Sequence, residues 1–101
     1  MYKLYWSKRA RNTLRSIEDF IGEDSKTQAK KVVADLLRCV KPLKKFPLMG
    51  TMVFELQKPN IRQLIKYSYR VIYSIYDTEI TVVDIVHCSQ NFLPTFLRRD
   101  V

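Results

Sequence analysis

Three cations and one imidazole are the side chains of this sequence best suited to work on a charged target. Arg62 and Lys66 are four residues apart, so on one strand they share a face. Arg70 begins the next strand-like run across a tight turn, and His87, the only histidine, ends the last run. Gathered at one end of a sheet, these groups would bind phosphate, because a guanidinium matches two anionic oxygens at once and an ammonium adds a point charge. An imidazole titrates near neutral pH and can act as a general base; it can equally be a satisfied residue at a strand end. Glu55, the one acid just before these runs, is expected to pair with Arg62 structurally rather than to act as a base.

What is missing limits the chemistry further. One histidine gives no paired-histidine metal site, and Cys39 and Cys88 are not spaced as ligands. Glycine occurs only at Gly22 and Gly50, which excludes a phosphate-cradling glycine loop. No paired carboxylates, nucleophile motif, hydrolase or NTPase signature is present. No metal and no cofactor are expected. Tyr67, Tyr69, Tyr73 and Tyr76 invite a stacking platform for single-stranded nucleic acid, but aromatics on half-buried strands are more often packing residues.

The elements that must carry these groups follow from periodicity. Met1 to Trp6 alternates as a strand, with Tyr2, Leu4 and Trp6 on one face. Ser7 reads as a helix N-cap. Ala10, Leu14, Ile17 and Ile21 then step by four, three and four, and Gly22 is a plausible stop. Asp24-Ser25 signals a second start, followed by Ala29, Val33, Leu36, Val40 and Leu43, with Val32 and Leu37 widening the stripe. The short gap between the two helices predicts an antiparallel hairpin. Pro42 and Pro47 limit the second helix. Thr51 to Leu56 is a short extended piece. Ile61 to Tyr67, Tyr69 to Tyr76 and Glu79 to His87 are rich in Val, Ile, Thr and Tyr and read as strands. Their turns fall at Ser68 and Asp77-Thr78, too short for parallel crossovers, so these neighbours are antiparallel. The expected fold is α+β: an N-terminal strand, then an antiparallel helical hairpin packed on a mainly antiparallel sheet of about four strands, in one domain over residues 1–101.

The 101 residues carry a net charge of +8, placed unevenly. Lys3, Lys8, Arg9, Arg11, Arg15, Lys26, Lys30, Lys31, Arg38, Lys41, Lys44 and Lys45 precede Phe46, while the acids divide evenly about it. Such a surface fits nucleic acid, an acidic protein or anionic lipid, or simply a solvated helix face. Lys8, Arg11 and Arg15 suit an acidic partner segment as well as RNA. The tail from Phe92 to Leu97 is more apolar than a solvated end, so it either packs on the sheet or is covered by a partner. Two unpaired cysteines fit reduced thiols. No apolar run approaches the roughly 20 residues that span a bilayer, and the N-terminus has no signal-peptide apolar region. The reading is a soluble cytoplasmic protein without membrane contact.

Taken in order, several pieces resemble one family. They are Trp6-Ser7 with Ala10, Leu14 and Ile17; Leu43, Pro47 and Gly50; Glu55; Arg62 with Leu64; the block Tyr69-Arg70-Val71-Ile72-Tyr73; and a final strand ending in His87 before Gln90-Asn91. Across nearly its whole length the chain resembles the RelE/ParE superfamily of type II toxin–antitoxin toxins, and it looks most like the ParE branch. The resemblance implies a toxin that inhibits DNA gyrase by binding, without a catalytic residue, and that a cognate antitoxin, ParD-like or other, wraps and neutralises. Arg62, Arg70, His87, Gln90 and Asn91 are then the expected target contacts, and Leu14, Ile17, Ile21, Val33, Leu37, Phe92 and Phe96 the expected antitoxin contacts. The alternative within the superfamily is a ribosome-dependent mRNA endonuclease, with Arg70 and Lys66 stabilising phosphate charge and His87 as acid or base. A third possibility is a non-toxic relative that binds only its antitoxin or RNA. RelE-type members carry lysines and an arginine just past the final strand, where this chain has Ser89 and Gln90, which counts against mRNA cleavage. Many ParE relatives carry arginine at the positions of Ser89 and Thr51.

Overall fold

A computed structural model describes residues 1–90. Five strands form one sheet in the order β1-β5-β4-β3-β2. They are β1 (Lys3–Trp6), β2 (Thr51–Met52), β3 (Ile61–Lys66), β4 (Tyr69–Tyr76) and β5 (Glu79–His87). Helices α1 (Lys8–Gly22) and α2 (Lys26–Cys39) pack on one face. The expected α+β architecture holds, with one strand more than the four anticipated. β3, β4 and β5 pair antiparallel, as the short turns require. β1 joins the outside of β5 in parallel, the two being separated in sequence by both helices and by β2, β3 and β4, and a parallel pair cannot be closed by a tight turn. The extended piece expected from Thr51 to Leu56 is a strand only at Thr51–Met52; residues 54–56 form a turn.

Local signals set the helices where the sequence placed them. Ser7 Oγ accepts from Ala10 N–H at 3.0 Å, and Ser25 Oγ accepts from Gln28 N–H at 3.1 Å. Each satisfies one amide that the first helical turn leaves orphaned. Ser7 also fixes α1 to the sheet, because its hydroxyl donates to the Val83 carbonyl at 2.8 Å. Ala10, Leu14 and Ile17 are buried, whereas Ile21 is only partly so. On α2 the buried line is Ala29, Val32 and Leu36, continued by Val40 and Leu43. Val32 thus takes the central position assigned to Val33, because a step of three from Ala29 follows the contact line better than a step of four. Pro42 sits in a 3-10 turn, Lys41–Lys44, that ends the helical hairpin.

The main core lies between the helices and the inner sheet face, and includes Leu36, Val71, Tyr73, Ile80 and Val82. Each large side chain fully buried there contributes about 1.5–3 kcal/mol. A smaller cluster, Val53, Ile61 and Ile72, occupies the opposite face beneath the segment after β2. Two-residue turns, Tyr67-Ser68 and Asp77-Thr78, join the three long strands. Tyr67 and Asp77 each take a positive φ of 57°. Asp tolerates this conformation; Tyr does so less readily. Tyr67 is held by its phenol, which donates to the Asp35 carboxylate on α2.

Tyr73 is fully buried yet keeps both capacities of its hydroxyl in use. It donates to the Pro47 carbonyl at 2.7 Å and accepts from Gly50 N–H at 3.0 Å. Gly50 is required by space, since a Cβ there would lie 2.4 Å from the Gln63 carbonyl oxygen and 2.7 Å from the Tyr73 hydroxyl. Tyr73→Phe leaves the buried Gly50 amide unpaired and is expected to destabilise the protein by about 1–3 kcal/mol. Gly50→Ala drives a Cβ into backbone and should cost at least as much. Urea titration followed by circular dichroism measures both; midpoints equal to wild type would refute the account.

The Tyr67–Asp35 contact gives a pH prediction. The Tyr67 hydroxyl, and after it Lys31 at 3.1 Å, hold the Asp35 carboxyl below its ordinary range. A depressed carboxylate contributes stability above its unfolded pKa and loses it as pH falls through its folded pKa. Tyr67→Phe should therefore lower the melting temperature at neutral pH, with the difference closing on the acid side of the ordinary aspartate range. A difference that stays constant with pH would count against the contact.

Candidate functional site

β4 divides the candidate chemistry between two faces. Tyr69, Val71 and Tyr73 belong to the helix side and pack in or against the main core. Arg70 and Ile72, alternating with them, turn to the open side. Register carries this division to the neighbouring strands. Lys66 and His87 both pair with Tyr69, and Ile65 and Val86 pair with Arg70. Lys66 and His87 therefore share the helix side at one end of the sheet, where the Tyr69 and His87 rings meet edge to face at 5.9 Å. Arg70 lies at the same end but on the opposite face. Arg62 pairs with Tyr73, four positions along β3 from Lys66, which is about 13 Å at the rise of a strand. The cationic cluster expected from Arg62, Lys66, Arg70 and His87 does not form.

Arg70 is committed instead to a network on the open face. It is 7% exposed. Nη1 and Nη2 donate to the two Glu55 carboxylate oxygens at 2.8 and 2.6 Å. Nε donates to Gln63 Oε1 at 2.9 Å, and Nη1 donates also to the Gln90 carbonyl at 2.9 Å. The hydrogen bond with Glu55 leads in holding the guanidinium pKa above its ordinary value, against desolvation. Glu55 thus pairs with Arg70, not with Arg62 as the sequence had suggested. Arg62 ties the loops together, its Nε donating to the Pro59 carbonyl at 2.9 Å and its Nη1 to the Gly50 carbonyl at 2.7 Å. Gln63 was not among the expected site residues. The signal that could have found it is register: a two-residue turn at Tyr67-Ser68 sets Ile65 opposite Arg70 and leaves Gln63 diagonal to it on the same face.

His87 begins an exposed turn after β5. Gln90 N–H donates to the His87 carbonyl at 2.9 Å, closing His87–Gln90. Ser89 N–H donates to His87 Nδ1 at 3.1 Å, and the Ser89 hydroxyl lies 2.7 Å from the same nitrogen. An amide can only donate, so Nδ1 is the acceptor and the neutral ring carries its proton on Nε2. A shallow groove of about 280 Å³ lies beside this turn, lined by Phe54, Glu55, Gln63, Ile65, Arg70, Cys88, Ser89 and Gln90. Phe54 and Ile65 are 80% and 63% exposed at its rim.

The expected antitoxin contacts are not equivalent. Leu14 and Ile17 are buried in the main core, Ile21 and Val33 are partly buried against it, and Leu37 is exposed. Asn91, Phe92 and Phe96 lie outside the described residues. The tyrosines form no platform: Tyr73 is buried, Tyr69 packs on the core, and Tyr67 and Tyr76 end opposite hairpin tips. Among the described residues there is no group of three His, Cys, Asp or Glu placed to hold a metal ion, and no helix is long and apolar enough to cross a membrane.

Removing one partner of a desolvated ion pair leaves an uncompensated charge. Arg70→Ala is therefore expected to cost about 3–5 kcal/mol, and Arg62→Ala less, because its two acceptors are neutral carbonyls. Equal losses on denaturant unfolding would contradict this ranking.

Comparison with known proteins follows the same geometry. Residues 4–92 match the family described as ParE toxin of type II toxin-antitoxin system, parDE. A solved structure of the chromosomal ParDE TA system from P. aeruginosa superposes with a TM-score of 0.71, covering 86% of this chain and 96% of that one. At 24% identity this likeness speaks for the fold alone. Among curated proteins no match is found.

Proposed function

This chain belongs to the ParE toxin family of type II toxin–antitoxin systems, and from that premise we propose that residues 1–101 form one toxin domain that inhibits DNA gyrase by binding. The observation that carries a binding mechanism over a cleaving one is the separation of the ionisable groups. Lys66 and His87 lie on the helix side, whereas Arg70 lies on the other face with four hydrogen bonds already made. A phosphoryl-transfer site needs its charge stabilisers and its acid or base converging on one reacting atom. The Glu55 carboxylate is held by Arg70 at both oxygens, which supports a structural role over a general base.

The target surface in this reading is the exposed turn with His87 and Gln90, with Lys66 on the same side across Tyr69; Asn91, outside the described residues, is a further proposed contact. Arg70 supports the turn from within through the Gln90 carbonyl, whereas Arg62, at the other end of β3, braces the loops at Gly50 and Pro59. The protein acts in the cytoplasm, where a cognate antitoxin neutralises it. The antitoxin is a segment laid on the helical hairpin, where partly buried Ile21 and Val33 and exposed Leu37 offer apolar contact. Phe92 and Phe96 remain proposed antitoxin contacts outside the described residues.

The test is a supercoiling assay with full-length, antitoxin-free protein, gyrase, ATP and relaxed plasmid. The expected result is loss of supercoiling with accumulation of linear plasmid. His87→Ala, which removes an exposed ring, should keep the melting temperature near wild type and weaken inhibition about tenfold. Full supercoiling at large excess of folded wild-type protein would sink the gyrase reading. Cleaved transcripts during growth arrest would then move the endonuclease reading forward, and normal growth on strong expression would favour a non-toxic binding module.

A further inference from the structure

We infer that Arg70 is a positioning residue for the His87–Gln90 turn and does not itself touch the target; this rests on the reading of that turn as the contact surface. After β5 ends, the chain reverses over four exposed residues. The backbone ties the start of the turn, where Cys88 N–H donates to the Ser68 carbonyl at 2.8 Å. At the far end Gln90 is bonded within the turn, its N–H donating to the His87 carbonyl at 2.9 Å and its Oε1 accepting from His87 N–H at 3.3 Å, and Arg70 anchors it to the sheet, Nη1 reaching the Gln90 carbonyl at 2.9 Å. Between these anchors the His87 ring is oriented by Ser89. A loose Gln90 would free Ser89, and with it the imidazole.

The guanidinium is badly placed to be a contact. It is 7% exposed, and all three of its nitrogens donate within the chain. A target anion would have to displace Glu55, leaving that carboxylate buried beside a competitor. The same fork explains why arginine is needed. A planar guanidinium can reach Glu55, Gln63 and Gln90 together, whereas an ammonium on a flexible stem cannot hold three separated acceptors in one geometry.

The experiment compares Arg70→Lys and Glu55→Gln in the full-length, antitoxin-free protein. Three quantities are read: the melting temperature, the ¹⁵N–¹H signals of the Ser89 amide and the His87 ring nitrogens, and inhibition of supercoiling. Arg70→Lys should average the Ser89 and His87 signals and weaken inhibition about tenfold. Glu55→Gln leaves the Arg70–Gln90 bond in place. It should lower the melting temperature while the turn signals stay put and inhibition stays within about twofold of wild type. Arg70→Lys with unmoved turn signals but lost inhibition would make the guanidinium itself the contact and overturn the inference. Inhibition that merely tracks melting temperature in both variants would also overturn it, leaving Arg70 a stabiliser only. If Arg70→Lys does not fold, Glu55→Gln still decides: turn signals that move with it would show the turn following general packing rather than its Arg70 anchor. If wild-type protein leaves gyrase untouched, the functional reading fails, while the turn signals of the variants still decide whether Arg70 positions the turn.

Discussion

A cation withdrawn from water must have its donors matched, and the open face of this sheet is organised by that requirement at Arg70. Its acceptors come from three separate parts of the chain: Glu55 in the loop after β2, Gln63 on β3, and the Gln90 carbonyl beyond β5. Satisfying one side chain therefore fixes three segments. The loop that brings Glu55 also closes over the small cluster of Val53, Ile61 and Ile72. Against well-packed apolar residues such an ion pair gains little net stability. What it supplies here is geometry, because each acceptor fits only if its segment is in place.

The opposite face solves a different problem with a neutral group. Tyr73 fills the centre of the main core and turns its hydroxyl to the one place where two backbone groups, the Pro47 carbonyl and the Gly50 amide, need partners. Both devices sit on β4, three residues apart in sequence and therefore on opposite faces. β4 lies third of five across the sheet, so its side chains reach the helices on one side and the loop after β2 on the other. The proposed function builds on this placement: charge holds the scaffold, and the turn at its edge is left exposed.

Much of this was legible in advance. Ser7 and Ser25 announced the helix starts, the step of three and four gave the buried stripes, and β-branched runs gave three strands. The resemblance carried by Tyr69-Arg70-Val71-Ile72-Tyr73 and its flanking pieces led to the family that residues 4–92 match. The errors concern pairing. Placing the first turn at Ser68 alone hid Tyr67, whose left-handed backbone has no glycine or asparagine to advertise it. Arg62 and Lys66 do share a face, as their spacing says, but they stand at opposite ends of β3. Glu55 was assigned the wrong arginine, since nothing local distinguishes Arg62 from Arg70 as its partner.

While the apolar run of Tyr69 to Tyr76 on both parities left the buried sheet face open, the sequence by itself determined the two helices, the three long strands and the class of fold. Each of those depends on a cap, a breaker or a hydrophobic period that is complete within a few residues. Only the tertiary structure decided that Arg70 would be enclosed, that Lys66 and His87 would be parted from it by the thickness of the sheet, and that Gln90 would be its outermost acceptor. Those outcomes depend on strand register and on a loop folding back over the sheet. They join residues far apart in the chain, whose identities carry no mark of one another until hydrogen-bond geometry brings them together.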